Sequence, residues 1–565
     1  MSPILLSAWL IGILKNWLIS FCIIDSWRGF VKPRARYIIS AMQNADDILW
    51  TSGFFNERFP APISPLGWSL IGPLIEEIAL RDPLRFLGYP HAQTIPLTRL
   101  WCGHPYANAF AFQIFYKVFP DSILPEDAYR YFPDGDVRLR QRAPYPTWVD
   151  APRFLFSLLY TFFSDPFNVS PLNNYRHWAR YTREHDRRVA ALRARFDELA
   201  HAEPRDIFSA LRETENIHRA FLRIHRWSLI DADLAYRLLK RLVGSNDVAA
   251  RLVADVPNKT MQVDAALRAI ANNQLPITNF LAEHGHRSFS LDIAVPTFAE
   301  VPEQVTRLVD AMKGEERNIN DSSFIFHAKR SSFAKRIFFD WILYLAQKYV
   351  AMREDQRYYW QKSLAVSRHL YLLLADRLVA NGVIAYPALV FYATHQELVD
   401  YFDAQLPKAE LARAIASRQS EWREYLREFE QSPTESYPAF VKGTGAPSAP
   451  PTTRVVTTNK QWQGRAISPG IARGVARVAQ SFNDLSRIQP GEILVAPSTD
   501  PAWTPVFARI AGLVVERGGV LSHGAVVARE YHIPGVAGIP NIVAEIREGE
   551  MIEVDGSRGV VKLVK

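Results

Sequence analysis

His523 follows a pair of glycines, Gly518 and Gly519, and stands at the start of a predicted helix directly after Ser522. The unpaired N–H groups at a helix N-terminus favour a bound anion. A phosphoryl group on the imidazole would be stabilised there without a metal ion, and the glycines would let another phosphate approach the backbone closely. Ser522 could donate a hydrogen bond to that group and Arg529 could balance its charge. The pattern predicts phosphoryl transfer through a phosphohistidine, with a buried structural histidine as the alternative.

A second group of candidates lies on a predicted helix. Arg353 and Arg357 are four residues apart and project from one helix face, so both could grip one phosphate. The alternative is a solvated face on which Glu354 and Asp355 serve as counterions.

A third group follows residue 283. His284 and His286 alternate in a stretch predicted to be extended, so they need not share one face. The sequence suggests no third ligand beside them, so no metal site is expected. His286 and Arg287 are predicted to line a substrate cavity or to hold the loop. Asp292 is either a group that accepts a proton from a substrate hydroxyl or a cap of the local turn.

The elements that must position these residues are mostly helical. Between residues 46 and 440, apolar side chains recur at spacings of three and four with charges between them, the pattern of amphipathic helices. The helix carrying Arg353 and Arg357 is predicted to stop at Gly382. The sequence thus predicts a large, mostly helical domain at 46–440.

The composition changes sharply at residues 442–460, KGTGAPSAPPTTRVVTTNK. This change predicts a flexible Gly/Pro/Ser/Thr linker at 441–460. After it, short segments typical of strands alternate with two short predicted helices. The strands are GVARVA, EILVAPS, AGLVVE and MIEVDGSRGVVKLV, and the helices are PAWTPVFARI and HGAVVAREYH. The predicted fold class is therefore multidomain, α and α/β, with a small domain at 461–565.

The N-terminal segment, residues 1–45, is hydrophobic and then basic. Residues 4–24 are long enough to span a bilayer but carry Lys15 near their centre, and a central lysine opposes insertion by about 3 kcal/mol. Membrane contact, a buried helix and a misplaced start codon are the open alternatives. Basic residues after the segment would keep the following domain in the cytoplasm.

The overall composition excludes several classes of protein. The chain has 565 residues, 48% of them hydrophobic, enough for two or three domains with substantial cores. Two cysteines, Cys22 and Cys102, exclude a disulfide scaffold and a Cys-rich zinc site, and they fit a reducing cytoplasm. The net charge of +8 favours anionic ligands. The sequence carries no nucleic-acid-binding motif, so no nucleic-acid partner is expected.

The segment GGVLSHGAVVAREYHIPGVAG, residues 518–538, resembles the phosphohistidine motif of the PEP-utilising enzymes, which include phosphoenolpyruvate synthases, pyruvate phosphate dikinases and rifampicin phosphotransferases. AISPGIARGVARV, ILVAPSTDPAWTPVF and VDGSRGVV match the same domain. Upstream, residues 56–69, 283–300 and 353–398 look like the substrate domain of rifampicin phosphotransferases. The resemblance extends from about residue 48 to the C-terminus.

Two positions depart from the family pattern. Val515 stands where many members carry threonine, which removes a polar contact near the histidine. Ser290 stands where rifampicin phosphotransferases often carry glutamate before Leu-Asp, which puts an acid–base or packing role there in doubt.

The resemblance implies a helical substrate-type domain followed by a β/β/α phosphohistidine swivelling domain, with Arg353 and Arg357 facing the incoming phosphohistidine. Family members begin with an ATP-grasp domain, for which these residues leave no room. ATP and Mg²⁺ are therefore expected through a separate ATP-grasp partner, with no cofactor bound firmly by this chain. Since no PEP-binding barrel follows His523, pyruvate chemistry is disfavoured.

Two functions follow as hypotheses. The first is a dikinase-like phosphotransferase component that passes a phosphoryl group from His523 to a hydroxyl of a small-molecule acceptor. The second is a non-catalytic phosphocarrier or scaffold, or a degraded relic of a phosphoenolpyruvate synthase-like enzyme. Under the phosphotransferase hypothesis we expect a cytoplasmic protein, and membrane association through residues 4–24 stays open.

Overall fold

The computed structural model describes residues 48–86 except 57, 95–112, 131–132, 173–253, 256–312, 333–431, 437–443, 446–447, 461–480, 482–499, 503–519 and 522–564. The N-terminal segment and most of the predicted linker lie outside these residues. Within the described ranges, no helix combines the length and the apolar character that a bilayer crossing needs.

The helices of the first part of the chain are numbered in order. They are α1 (Pro65–Leu74), α2 (Asp82–Phe86), α3 (Asn174–Ala194), α4 (Phe196–His201), α5 (Pro204–Val243), α6 (Asn246–Leu252), α7 (Lys259–Ala271), α8 (Ile277–His284), α9 (Pro302–Met312), α10 (Phe333–Ala380), α11 (His395–Phe402) and α12 (Lys408–Gln431). A π-helical stretch, Ile75–Arg81, joins α1 to α2, and a 3₁₀ turn, Pro387–Tyr392, precedes α11.

Two long helices, α5 and α10, pack along each other and form the centre of this helical domain. α5 has 40 residues, begins with Pro204 and ends at Gly244, whose φ is 71°. Proline fits the first turn of a helix and glycine fits the left-handed position after the last turn. α10 has 48 residues, and Gly382 just beyond it has a φ of 65°, as predicted from the sequence.

The helical domain also contains a sheet that the sequence pattern did not predict. Its strands are β1 (Leu49–Thr51), β2 (Thr98–Trp101), β3 (His104–Asn108), β4 (Phe440–Lys442) and β5 (Ala446–Pro447), in the antiparallel order β2-β3-β1-β4-β5. Residues 441 and 442, predicted as the start of the flexible linker, therefore belong to a strand, and Val441 is fully buried. These strands are two to five residues long, too short for alternation to be visible in the sequence.

The C-terminal domain is built on a second, mixed sheet. Its strands are β6 (Gln461–Gln463), β7 (Arg465–Ser468), β8 (Ile471–Val478), β9 (Ile493–Ala496), β10 (Gly512–Val515), β11 (Gly535–Ala537), β12 (Met551–Asp555) and β13 (Val560–Leu563). Their order is β6-β13-β12-β8-β9-β10-β11-β7. Three short helices complete it: α13 (Thr504–Phe507), α14 (His523–Glu530) and α15 (Ile542–Glu545).

The centre of this sheet is parallel, with β8, β9, β10 and β11 side by side. β9 and β10 are buried at every residue, as expected for parallel strands covered on both faces. The strands and the two helices predicted for this region from its pattern are all present. The carboxyl end of β10 and the start of α14 therefore present His523 at one end of the sheet.

One local prediction was wrong. His284 is the last residue of helix α8 and does not lie in an extended stretch with His286. A helical end followed by a turn brings both rings to Tyr358: His284 Nδ1 lies 3.1 Å from its hydroxyl, and the His286 ring packs edge-on at 4.5 Å.

Candidate functional site

His523 is the first residue of α14, and Ser522 is its N-cap. The loop that leads from β10 to this helix turns at Gly518, which has a φ of 132°. A side chain at that position would be strained, and its Cβ would lie 3.0 Å from Ser522 Oγ. Ser522 Oγ itself has no hydrogen-bond partner among the described residues. The loop thus places a histidine ring and a donor hydroxyl together at a helix N-terminus.

The imidazole of His523 is held between the two domains. Its Nδ1 lies 3.2 Å from Glu354 Oε2 on α10, and its Nε2 lies 3.4 Å from Thr504 Oγ1 on α13. A carboxylate only accepts hydrogen bonds, so Nδ1 carries a proton. In the neutral form of the ring, Nε2 then holds the lone pair and is the atom available as a nucleophile.

Glu354 is buried beside this ring. Burial opposes its ionisation, but the hydrogen bond to His523 and the charges of Arg353 and Arg357 hold the pKa of its carboxyl below the ordinary value. The sequence pattern indicated at most a solvated counterion at Glu354. A buried carboxylate bonded to the imidazole is instead a component of the site.

A cleft of about 110 Å³ opens beside His523 between the two domains. The helical domain lines it with Arg58, His225, Arg353, Gln356, Arg357 and Trp360. The C-terminal domain lines it with Val515, Arg517, Gly518, Ser522 and His523. The predicted arginine pair and the predicted histidine loop therefore meet at one site.

A hydrogen-bonded chain runs through the wall of the cleft. Arg58 Nη2 lies 3.0 Å from His225 Nε2, and His225 Nδ1 lies 2.6 Å from Gln356 Oε1. Burial, followed by the charge of Arg58, lowers the pKa of His225 to about 3, so the ring is neutral. Nothing in the local sequence links residues so far apart, and only the packing of α5 against α10 brings them together.

The other predicted site residues lie outside the cleft lining. Asp292 is buried, and its oxygens accept hydrogen bonds from the backbone N–H of Ser64, the Ser64 hydroxyl and the N–H of Ala294. Ser64 caps α1. This geometry supports the capping alternative for Asp292 over proton abstraction from a substrate.

His286, Arg287 and Arg529 are also buried. His286 and Arg287 pack on Tyr358, with the Arg287 guanidinium 5.8 Å from the ring centroid, which fits the loop-holding alternative. Arg529 donates to the carbonyl of Ile467 on β7 at 2.9 Å. Gly519 accepts a backbone hydrogen bond from Ser522 and supports the loop.

A separate contact holds the two domains together on the far side of α14. Glu530 Oε1 accepts from Asn258 Nδ2 at 3.2 Å, and the Tyr531 hydroxyl donates to Asp264 Oδ2 at 2.6 Å. The Arg268 guanidinium lies 5.1 Å from the centroid of the Tyr531 ring. We call these five residues the docking face.

A family comparison matches part of the C-terminal domain. Residues 488–559 match the family model of the PEP-utilising enzyme, mobile domain. The larger part of the C-terminal domain is therefore similar to a PEP-utilising mobile domain, and we call it the mobile domain below. His523 and the loop before it lie within the matched residues.

Three relatives match parts of the chain. The chain is 31% identical over 219 residues to rifampicin phosphotransferase of Bacillus subtilis, covering 39% of this chain and 24% of that one. It is 41% identical over 97 residues to phosphoenolpyruvate synthase of Deinococcus radiodurans, covering 17% and 12%. It is 30% identical over 319 residues to chondramide synthase of Chondromyces crocatus, covering 50% and 8%. The matches thus span about a quarter or less of each relative's length.

Proposed function

We propose that this protein is a phosphotransferase component in which the mobile domain carries a phosphoryl group on His523 Nε2 and delivers it to a hydroxyl of a small molecule in the cleft. The observation that carries this proposal is the hydrogen bond from His523 Nδ1 to Glu354, beside two arginines that line the same cleft. It supports a ring oriented for covalent catalysis rather than one packed in a core.

In the first step, the lone pair of His523 Nε2 attacks a phosphorus atom of ATP. The N–P bond forms, the P–O bond breaks, and the leaving nucleotide oxygen keeps the electron pair. A nucleotide-binding domain of the ATP-grasp type, on a separate chain, would bind the ATP and its Mg²⁺. In this step, Glu354 would stabilise the positive charge that develops on the ring.

In the second step, the acceptor hydroxyl attacks the phosphorus atom and its proton passes to water. The N–P bond breaks and its electrons return to Nε2. Because Glu354 keeps a proton on Nδ1, the ring leaves as neutral imidazole, a better leaving group than an imidazolate. Arg353 and Arg357 would hold the phosphoryl oxygens during transfer.

The proposal is tested on protein purified from its native host under alkaline conditions, which preserve the N–P bond. We expect mass spectrometry to find a phosphoryl group on the peptide that contains His523. The matched variant His523→Asn should lack the modification. If the wild-type peptide is consistently unmodified, the proposal fails.

A phosphocarrier without acceptor chemistry is the second candidate, and one observation favours it. Asp292, the carboxylate predicted to accept the proton of an acceptor hydroxyl, is hydrogen-bonded to Ser64. Glu354 is the acidic residue among the described residues that line the cleft, and it is hydrogen-bonded to His523. Loss of the phosphoryl group only to a second protein, never to a small molecule, would favour the carrier.

A further inference from the structure

The face of α10 that lines the cleft is ordered from one flank to the other. At about 100° per residue, Glu354 lies on one flank and Arg357 and Arg353 lie in the middle. Trp360 and Gln356 lie on the other flank, roughly 120° and 160° from Glu354. Since Glu354 binds His523, the phosphoryl group would lie over the arginines. The flank formed by Trp360 and Gln356 would then face the molecule that receives the phosphoryl group.

The hydrogen-bonded chain described above fixes the orientation of the Gln356 amide. Arg58 can only donate, so His225 Nε2 must accept, and the proton of the neutral ring must be on Nδ1. Nδ1–H then donates to Gln356, so the atom facing it is the oxygen. The Ser228 hydroxyl lies 3.0 Å from the same oxygen. The NH₂ group of Gln356 is therefore not the group that faces His225 and Ser228.

Two buried donors on this flank lack an acceptor. Gln356 and Trp360 are 2% and 3% exposed, both line the cleft, and neither Gln356 Nε2 nor Trp360 Nε1 has a hydrogen-bond partner among the described residues. Buried donors are almost always paired in native proteins. Both groups only donate, so the missing partner is an atom that accepts.

The surroundings of these donors are apolar. The Trp360 ring stacks on Phe221 at 5.0 Å between centroids, and Phe221 and Leu291 line the same cleft. A ligand here would present an accepting oxygen on an otherwise apolar surface, which is how orientation is fixed in most small-molecule sites.

We propose that Gln356 and Trp360 form the acceptor-binding subsite, where their N–H groups hold a carbonyl-type oxygen next to the hydroxyl that receives the phosphoryl group. The acceptor class is therefore a hydroxy ketone, or another hydroxylated molecule with an adjacent carbonyl oxygen. This inference rests on the proposed function for the fate of the hydroxyl, but the binding itself does not require a phosphorylated His523.

The test uses the full-length protein with ¹⁵N-labelled tryptophan and two small probes of the same shape. Hydroxyacetone carries a carbonyl beside its hydroxyl, and 2-methylprop-2-en-1-ol carries a C=CH₂ group in that place. The indole signal of Trp360 is identified by its loss in Trp360→Phe. We expect hydroxyacetone to shift this signal in a saturable manner and the alkene probe to bind at least tenfold more weakly.

Two variants and a control sharpen the result. Gln356→Glu keeps the oxygen that accepts from His225 but removes the donor, so hydroxyacetone should bind at least tenfold more weakly while the other indole signals stay in place. Trp360→Phe has no Trp360 indole signal, so its binding of hydroxyacetone is measured by saturation-transfer NMR on the probe. This variant should also bind hydroxyacetone at least tenfold more weakly. Tyr359→Phe is the control, because Tyr359 faces Trp178 of α3, and it should bind hydroxyacetone within twofold of wild type.

Equal binding of the two probes would overturn the inference. So would a Trp360 shift produced by inorganic phosphate and not by hydroxyacetone, because the two donors would then serve the phosphoryl group. Repeating the titration with His523→Asn separates the two proposals: binding should persist there even though no phosphohistidine can form.

Discussion

At the residue scale, the site depends on which atom of each polar side chain faces the next. The Glu354 carboxylate fixes the proton on His523 Nδ1, and Arg58 fixes the proton on His225. Neither effect follows from residue type alone, because a histidine ring can hold its proton on either nitrogen.

The first prediction concerns Glu354→Gln. Hydrogen bonds to charged groups contribute about 1.5–3 kcal/mol, so removing the charge should slow phosphorylation of His523 by about tenfold or more. Phosphoramidate can serve as the donor, since it phosphorylates histidine directly without a partner protein. The rate is followed by mass spectrometry of the His523 peptide.

Asp355→Asn is the matched control for this measurement. Asp355 is the adjacent carboxylate on α10, and its Oδ1 accepts from the backbone N–H of Lys259 at 2.6 Å, which an amide oxygen can also do. Its rate should equal that of wild type. A rate for Glu354→Gln within twofold of wild type would contradict the role assigned to the carboxylate.

The second prediction concerns Asp292→Asn. One oxygen that accepts from Ser64 becomes an NH₂ group facing a backbone N–H, so the free energy of unfolding should fall by about 1–3 kcal/mol. Urea unfolding measures this loss. Phosphorylation of His523 by phosphoramidate should be unchanged in the folded variant, whereas a catalytic role would leave stability intact and reduce transfer to the acceptor.

At the element scale, α14 carries both His523 and part of the docking face. Its first residue is His523. Its last residue, Glu530, and the next residue, Tyr531, belong to the docking face and contact residues at and in α7. Because one short helix connects His523 to Glu530 and Tyr531, the contact of the docking face also sets the position of the imidazole over α10.

The third prediction concerns Tyr531→Phe. The change removes the hydrogen bond to Asp264 but keeps the ring against Arg268. A hydrogen bond to a charged group contributes about 1.5–3 kcal/mol. Its loss should therefore increase the population of the undocked domain about tenfold. Amide hydrogen exchange in residues 259–271 should accelerate accordingly.

Tyr401→Phe provides the comparison, because the Tyr401 hydroxyl accepts only an exposed hydrogen bond from Asn381 among its described contacts. Its exchange in residues 259–271 should match wild type. Unchanged exchange in Tyr531→Phe would show that this hydrogen bond does not hold the domain.

At the scale of the whole molecule, we expect docking of the mobile domain to be coupled to a proton on Glu530. Burial, followed by the charge of Glu354, raises the pKa of Glu530 from 4.5 to about 8. Asn258, Arg529 and Asp264 also act on this carboxyl. The docked domain thus holds a proton on Glu530 at neutral pH, which an exposed glutamate in the undocked domain would release.

The fourth prediction follows from this linkage. Docking should be strongest below about pH 4.5 and weaken as the pH rises toward 8, by at most roughly tenfold per pH unit for one proton. Small-angle X-ray scattering should show a radius of gyration that increases over this range. Glu530→Gln should flatten the dependence, since it leaves Glu354, Asp264 and Arg529 in place, and an equally steep dependence in this variant would exclude Glu530 as the group responsible.

The sequence by itself determined the local features: the turn at Gly518 and Gly519, the helix that begins at His523, the end of the long helix at Gly382, and the strands of the C-terminal domain. Each of these depends on residues close together in the chain, where backbone conformation and hydrophobic period leave a readable pattern. The spacing of Arg353 and Arg357 also placed them correctly on one helix face.

Only the tertiary structure decided what these residues face. It paired Glu354 with His523, joined Arg58 to Gln356 through His225, and placed Asp292 beneath Ser64 rather than in the cleft. It also formed a sheet from short strands at both ends of the helical domain. These partners lie tens to hundreds of residues apart, and their contacts arise from packing of whole elements, which no local periodicity encodes.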